Sequence, residues 1–328
     1  MVNPYIKASF KLAKEIRRQS WLATDSGRKF SLGCAIIASV GSAAYNILPH
    51  SILLDRYREL FQMYRKKAPV TVSSKIKKYL DTVLQELGIS AEQQALLKPF
   101  TVNGFDLFHA GTTVLSTGAI IGVPTSFNYE GIEDIEPSNL LVQSRHVDWS
   151  QTDGKNLLSA LTLSEKARKF AIAREIVRCQ TIEPILNSMY PPFCILMTYG
   201  IARKMNSFMH HLPRSSFLNF IKYSLLGLFF LGNWTCLKDV TSCSFDRDCD
   251  VQVAELGEDY LKGGQEFYDK ILQRNIALRN LMGKEGVKLY SATGNDEFFI
   301  RQKRLPIIQR KLYFDKAIKN FSERYQPS

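Results

Sequence analysis

The residues of this chain whose types and spacing come closest to chemistry are Arg174, Glu175 and Arg178, in the stretch Leu161–Cys179. Residues four apart share one face of a helix, so the two arginines hold the positions that the two imidazoles occupy in a His-Glu-x-x-His zinc motif. Arginine has no lone pair to donate to a metal ion. We therefore expect no catalytic, metal-binding or cofactor-binding residues, no cofactor, and a chain that is not an enzyme.

The order of segments around this stretch resembles membrane zinc metallopeptidases of the CAAX-prenyl-protease and HtpX type. Those proteins place the motif helix before a hydrophobic hairpin and take a third ligand from a Glu on a later helix. Glu266 stands where that Glu would fall, but its Asp follows after three residues instead of four. Two interpretations stay open: Arg174, Glu175 and Arg178 form a salt-bridged surface turn, or they form a degenerate pocket with Glu266. Any likeness to a degenerate metallopeptidase fold is remote.

The stretch itself has the pattern of an amphipathic helix. Thr162 and Glu165 have the spacing of a capping box, which predicts a helix start at Thr162. Apolar residues then recur at steps of three and four, as on a helix with one buried face.

Three long segments are apolar enough to cross a bilayer, and they indicate a membrane protein. They are Phe30–Leu48, Pro184–Ala202 and Phe217–Leu237. The second contains Pro191–Pro192, so whether it crosses fully is left open. Lys222 in the third is expected to extend toward the lipid headgroups. We predict three transmembrane helices: an N-terminal anchor and a helical hairpin.

The rest of the chain has the pattern of an α+β soluble part that is mainly helical with a small β region. Helical patterns run from Leu53 to Tyr64, from Ile76 to Leu87 and from Leu261 to Met282. β patterns lie between Pro99 and Trp149, with an Asn103–Gly104 hairpin signal and short strands predicted at Val114–Leu115, Ala119–Val123 and Leu140–Val142. The expected layout is a basic tail (1–29), a transmembrane helix (30–48), a soluble α+β segment (49–183), a transmembrane hairpin (184–237) and a helical segment (238–328) that packs with 49–183.

Charge and cysteine usage narrow the possible partners. The chain carries 43 Lys and Arg against 31 Asp and Glu. Its basic residues are not interleaved with aromatic residues, which argues against nucleic acid and leaves the lipid bilayer as the expected anionic partner. Six cysteines without a CxxC pair favour neither a disulfide framework nor a zinc site. His109, His146 and the pair His210–His211 are expected to be structural.

The distribution of charge predicts an orientation in the membrane. The tail 1–29 has seven basic and two acidic residues, and the hairpin loop around Arg203, Lys204 and Arg214 has no acid. A basic amphipathic leader before an apolar anchor is typical of mitochondrial inner-membrane targeting. The positive-inside rule then puts the tail and the loop in the matrix and the soluble part in the intermembrane space.

Several phrases of the sequence together resemble the transmembrane protein 177 family. They are His146–Trp149, Leu161–Ser164, Lys169–Val177, Glu266–Leu272, Asn275–Arg279, Gly283–Tyr290 and Gly294–Asn295. The likeness runs in blocks from about Lys98 to Asn295.

This resemblance implies a multi-pass protein of the mitochondrial inner membrane that supports cytochrome c oxidase assembly. It implies association with newly made oxidase subunit 2 and with the assembly chaperone of that subunit. No catalytic or metal-binding residue carries over from the family. The competing interpretation is an inactive, peptidase-like membrane protein that binds substrate peptides without cutting them.

Overall fold

The long apolar segments of the sequence are helical in the computed structural model, which describes residues 24–136, 142, 149–208, 216–298 and 300–325. Several predicted features lie outside these residues: the leader helix, the strand around Leu140 and Leu141, and His146, His210, His211 and Arg214. The described residues are mostly helical with a small sheet, as expected of an α+β membrane protein.

The helices and strands follow one another in this order. They are α1 (Asp25–Ile47), α2 (Leu54–Phe61), β1 (Tyr64–Arg65), β2 (Ala68–Pro69), α3 (Ser74–Glu86), α4 (Ala91–Ala95), β3 (Leu97–Val102), β4 (Phe108–Thr112), β5 (Gly118–Pro124), α5 (Thr152–Leu161), α6 (Glu165–Cys179), α7 (Glu183–Phe208), α8 (Ser216–Ala254), α9 (Glu258–Met282), α10 (Lys284–Leu289) and α11 (Ile307–Tyr325). A 3₁₀ turn, Leu48–His50, follows α1.

The chain divides into two compact units. The first comprises the described residues up to Tyr45 together with Ser188–Thr235, and the second comprises Asn46–Asn187 together with Cys236–Ser328. The second unit is therefore discontinuous in sequence, because the chain leaves it after Asn187 and returns at Cys236.

Two membrane-crossing candidates begin in the first unit and end in the second. Among the described residues, Asp25–His50 and Phe217–Ala254 are helices long and apolar enough to span a bilayer. Helix α7 runs unbroken through Pro191–Pro192, but it is not one of these two candidates. Lys222 is buried and donates to Asn206 Oδ1 and Asn219 Oδ1, at 2.5 and 3.1 Å.

The small sheet of the second unit has the order β3-β5-β4. β5 is the fully buried central strand, parallel to β3 and antiparallel to β4. The predicted hairpin at Asn103–Gly104 is therefore wrong, although Gly104 does have a positive φ of 111°. The apolar β5 inserts between the two strands that this turn connects, and a hairpin would require those two strands to pair.

Helix α6 lies at the centre of the second unit. Every residue from Phe170 to Cys179 is buried, and the Phe170 ring meets the rings of Phe267, Tyr268 and Phe314 at 5.0–5.8 Å between centroids. A helix that is buried on all sides has no solvated face for its charged residues. Its arginines must therefore be neutralised inside the protein.

The start of α6 differs from the prediction. The N-cap is Ser164, whose hydroxyl accepts from Ala167 N at 3.2 Å, while Thr162 follows the end of α5 and donates to Ser159 O. The predicted helix start at Thr162 is wrong because Leu163 is buried in the core, and the extended residues Thr162–Ser164 place it there.

Candidate functional site

The second unit contains a buried set of charged side chains contributed by four helices, which we call the charge cluster. Its members are Arg174, Glu175 and Arg178 on α6, Glu183 on α7, Asp246 and Asp250 on α8, and Arg310 on α11. All seven are buried, so Arg174, Glu175 and Arg178 form salt bridges as one interpretation expected, but they lie in the interior and not on the surface.

Arg178 is paired with acids from two other helices. Its side chain is 1% exposed. Its Nε and Nη2 lie 2.7 Å from Glu183 Oε2, and its Nη1 pairs with Asp246 Oδ1. Glu183 in turn accepts a hydrogen bond from the Ser242 hydroxyl at 2.8 Å. The guanidinium thus joins the start of α7 to the C-terminal part of α8.

Arg174, one turn before Arg178, binds the same stretch of α8. It donates from Nη2 to Asp246 Oδ1 at 2.8 Å, and its Nε lies 3.4 Å from Asp250 Oδ1. Its Nη1 pairs with the neighbouring Glu175. Asp246 and Asp250 are four residues apart, as are Arg174 and Arg178, so two helices present matching pairs of opposite charge.

Arg310 brings the C-terminal helix into the cluster. It forms a bidentate pair with Asp250, in which Nε and Nη2 each lie 2.6 Å from one carboxylate oxygen. Its guanidinium carbon lies 4.6 Å from the centre of the Tyr268 ring, and the Tyr268 hydroxyl donates to Asp250 Oδ1 at 2.6 Å. Bidentate pairs between arginine and a carboxylate are among the strongest side-chain contacts in proteins.

Three polar contacts connect the cluster to residues nearer the surface of the unit. His109, on β4, has its Nδ1 2.6 Å from Glu175 Oε2 and a side chain that is 19% exposed. Half-exposed Arg304 has its Nη1 3.5 Å from Asp246 Oδ1, and the backbone N–H of Leu305 donates to Asp246 Oδ2. With Arg304 the cluster has four arginines and four carboxylates, so it is electrically balanced.

Burial and pairing act on the acids of α6 and α7 in opposite directions. Burial alone would raise the pKa of Glu175, but Arg174 and His109 hold that pKa well below its usual range. Burial would also raise the pKa of Glu183, and Arg178 together with the Ser242 hydroxyl lowers it. Both carboxylates are therefore charged at neutral pH. The pKa of Tyr268 is raised by burial, which keeps its phenol protonated as a donor.

This arrangement stabilises the packing of four helices and does not suit metal binding. Within the described ranges, no three His, Cys, Asp or Glu side chains are grouped so that they could hold a metal ion. The Asp246 carboxylate is bound by the guanidinium groups of both Arg174 and Arg178. A degenerate peptide-binding pocket would need these cations to be open to solvent, and they are buried.

Glu266 does not lie near the other three predicted pocket residues. Its carboxylate accepts from Ser164 N at 2.8 Å and from the Ser164 hydroxyl, at the first turn of α6. Arg174 is ten residues further along that helix, or about 15 Å at 1.5 Å per residue. The structure therefore does not bring Glu266 together with Arg174, Glu175 and Arg178, because Glu266 binds the opposite end of α6.

Four members of the charge cluster were not predicted from the sequence: Glu183, Asp246, Asp250 and Arg310. One signal for two of them was available: Asp246 and Asp250 share the spacing of Arg174 and Arg178 and follow directly on an apolar helix. The acidic stretch continues helix α8. Residues four apart in a helix share a face, so this continuation puts both carboxylates on one face.

Comparison with known proteins identifies relatives along most of the chain. The family described as Transmembrane protein 177 matches residues 72–319. Transmembrane protein 177 of Xenopus laevis is 32% identical over 301 residues, which cover 89% of this chain and 94% of that protein. The proteins of the same name from Danio rerio and Homo sapiens are 32% and 29% identical over 272 residues, covering 86% and 85% of their lengths and 82% of this chain. No solved structure matches.

Proposed function

Because the chain belongs to the transmembrane protein 177 family, we propose that it is a non-enzymatic assembly factor in the mitochondrial inner membrane. In this proposal it associates with newly made cytochrome c oxidase subunit 2 and with the assembly chaperone of that subunit. It stabilises the subunit until the subunit is built into the oxidase.

The charge cluster is the observation that carries the non-enzymatic part of the proposal. In α6, Arg174 and Arg178 have the spacing of the two histidines in a His-Glu-x-x-His zinc motif. Both arginines are nevertheless paired in the interior, Arg174 with Asp246 and Arg178 with Asp246 and Glu183. Charged groups that are neutralised in this way hold helices together, and they offer neither a nucleophile nor an open Lewis-acid position. The protein would then act by binding.

The discontinuous second unit supports a helical hairpin in the membrane. Residues 46–187 and 236–328 fold together, so they lie on one side of a bilayer, and the segment between them crosses it an even number of times. If α8 spans the membrane, α7 must span it too. Helix α7 has 26 residues, or about 39 Å, which exceeds a hydrocarbon core of about 30 Å. With α1 this gives three spans.

The experiment for the assembly role is affinity purification of the tagged protein from mitochondria during labelled mitochondrial translation. We expect newly made oxidase subunit 2 to co-purify, together with its chaperone. Absence of labelled subunit from the purified material would contradict the proposal.

A matched pair of variants tests whether recognition uses the charge cluster. Arg174→Glu reverses a buried cation, whereas Arg56→Glu reverses one whose side chain is 81% exposed. If the cluster is structural, Arg174→Glu reduces protein level and co-purification together. A folded Arg174→Glu protein that no longer binds would instead indicate a peptide-binding pocket.

A further inference from the structure

Five apolar side chains of the second unit are exposed around the points where the chain leaves that unit. We call them the apolar collar: Ile52, Leu53, Val114, Ile182 and Val240. Their exposed fractions are 78, 45, 55, 45 and 64%. Single exposed apolar residues are ordinary on protein surfaces, whereas apolar residues collected at one place indicate a contact surface.

Hydrogen bonds bring Val114 and Ile182 together although they are far apart in sequence. The Thr112 hydroxyl donates to Thr181 O at 2.7 Å, and Thr113 N donates to Cys179 O at 2.9 Å. The end of β4 is thereby fixed against the residues that follow α6. Val114 and Ile182 each follow directly on one of these bonded residues.

The remaining collar residues join the same place through His50 and Glu183. Gly111 N, on β4, donates to His50 Nδ1 at 3.2 Å, two residues before Ile52. The Ser242 hydroxyl donates to Glu183 Oε1 at 2.8 Å. Ile182 directly precedes Glu183, and Val240 lies two residues before Ser242.

The chain positions of these residues indicate what covers them. Ile52 is two residues beyond the membrane-crossing candidate Asp25–His50, and the hydrogen bond from Leu53 N to Leu48 O at 2.9 Å keeps this stretch close to the end of that candidate. Ile182 directly precedes α7, and Val240 closely follows the apolar part of α8. The headgroup layers add about 6 Å to each side of the hydrocarbon core, so these residues lie within reach of them.

We propose that the apolar collar is a lipid-contacting surface, through which the second unit inserts Ile52, Leu53, Val114, Ile182 and Val240 into the interfacial layer of the bilayer. His50 and Lys238 fit the same layer, because amphipathic side chains keep their polar ends in water while their apolar parts contact lipid. The second unit is then seated on the membrane by its own side chains as well as tethered to it by helices.

Photo-crosslinking of the full chain in lipid vesicles tests this surface. The photoreactive residue p-benzoylphenylalanine replaces Ile182 in one variant and Ile52 in another. The protein is reconstituted into phosphatidylcholine and phosphatidylethanolamine vesicles that contain alkyne-tagged phosphatidylcholine. We expect tagged lipid to be attached to the protein at both positions after irradiation.

Ile132 provides a matched control. It is also an isoleucine and is 48% exposed, against 45% for Ile182. It lies beside Tyr129, whose carbonyl accepts from Arg168 in the first turn of α6, whereas Ile182 follows the last turn. The 11 residues from Arg168 to Cys179 separate the two places by about 17 Å along the helix.

The two outcomes are distinct. Labelling at Ile182 and Ile52 on the order of tenfold above that at Ile132 would support the collar, because only side chains within the interfacial layer reach acyl chains. Equal lipid labelling at Ile132 and Ile182 would overturn the proposal. So would a photoreactive residue at position 182 that crosslinks to protein and not to lipid. Neither result depends on oxidase subunit 2, so the assembly role can fail without affecting this inference.

Discussion

Arg178 binds Glu183 and Asp246 while it is almost completely excluded from water. Replacing it with Met removes the cation and leaves both carboxylates buried with fewer partners. Breaking a buried ion pair from one side typically costs about 3–5 kcal/mol. We expect R178M to lower the free energy of unfolding by this amount, measured by chemical denaturation of the purified protein in detergent micelles.

A surface arginine supplies the control. Arg56 lies 3.6 Å from Glu59, and its side chain is 81% exposed. R56M should change the free energy of unfolding by no more than about 0.5 kcal/mol, because exposed pairs contribute little. Equal losses in R178M and R56M would contradict the structural role of the charge cluster.

The same residues predict how stability depends on pH. In the folded protein the pKa values of Glu175 and Glu183 are lowered from their usual 4.5. Below about pH 4.5 the unfolded chain binds protons that the folded chain does not, so the free energy of unfolding falls as the pH falls. Above this pH range Glu175 and Glu183 are charged in both states, so they do not raise the free energy of unfolding further.

Denaturation between pH 3.5 and 6.5 measures this dependence. We expect Glu183→Gln to have a shallower decline in stability on the acidic side, because one of the groups with a lowered pKa is gone. Parallel curves for Glu183→Gln and the unmodified chain would show that Glu183 does not contribute.

At the scale of elements, the closest approach of α6 and α9 depends on a glycine. A Cβ added to Gly263 would lie 2.3 Å from the carbonyl oxygen of Lys166, which is backbone and cannot rotate away. Gly263→Ala should therefore separate the two helices and cost about 1–3 kcal/mol in the free energy of unfolding, by chemical denaturation.

Gly200→Ala is the matched substitution on another helix. A Cβ at Gly200 meets nothing within 4 Å, and alanine is the better helix former by about 1 kcal/mol. Stability should stay equal or rise in this variant. If both substitutions are tolerated equally, α6 and α9 do not pack as closely as described.

The sequence was sufficient to predict individual helices but not their partners. The spacing of Ile76, Leu80 and Val83 predicted α3, and Gly88 marks its end with a φ of 64°. Periodicity of this kind reports which face of a helix is apolar. It does not report that α8 continues through the acidic residues after Lys238, since acids there become compatible with burial only when arginines from α6 and α11 meet them.

The sheet was partly predictable, because local sequence patterns indicate single strands but not the strands they pair with. Ala119–Val123 was predicted as a strand and lies within β5, whereas Val114–Leu115, also predicted as a strand, forms a turn. Local patterns predict that a strand exists, but strand order depends on contacts between distant segments. The parallel pairing of β3 with β5 is such a contact.

At the scale of the whole molecule, the proposed three spans predict a sidedness that can be measured. A tag at the C-terminus and a tag next to Arg203 and Lys204 should lie on opposite sides of the inner membrane. In mitoplasts we expect protease to remove the C-terminal tag and to spare the other until the membrane is lysed, because basic loops stay in the matrix. A C-terminal tag that is protected until lysis would contradict this orientation.

The order in which the chain is synthesised has a consequence for how the second unit forms. Arg174 and Arg178 are made before the segment 188–235, whereas Asp246, Asp250 and Arg310 are made after it. Until the later helices are made, Arg174 and Arg178 have only Glu175 and Glu183 as partners. The interior is therefore completed only when Asp246, Asp250 and Arg310 have been added, close to the end of synthesis.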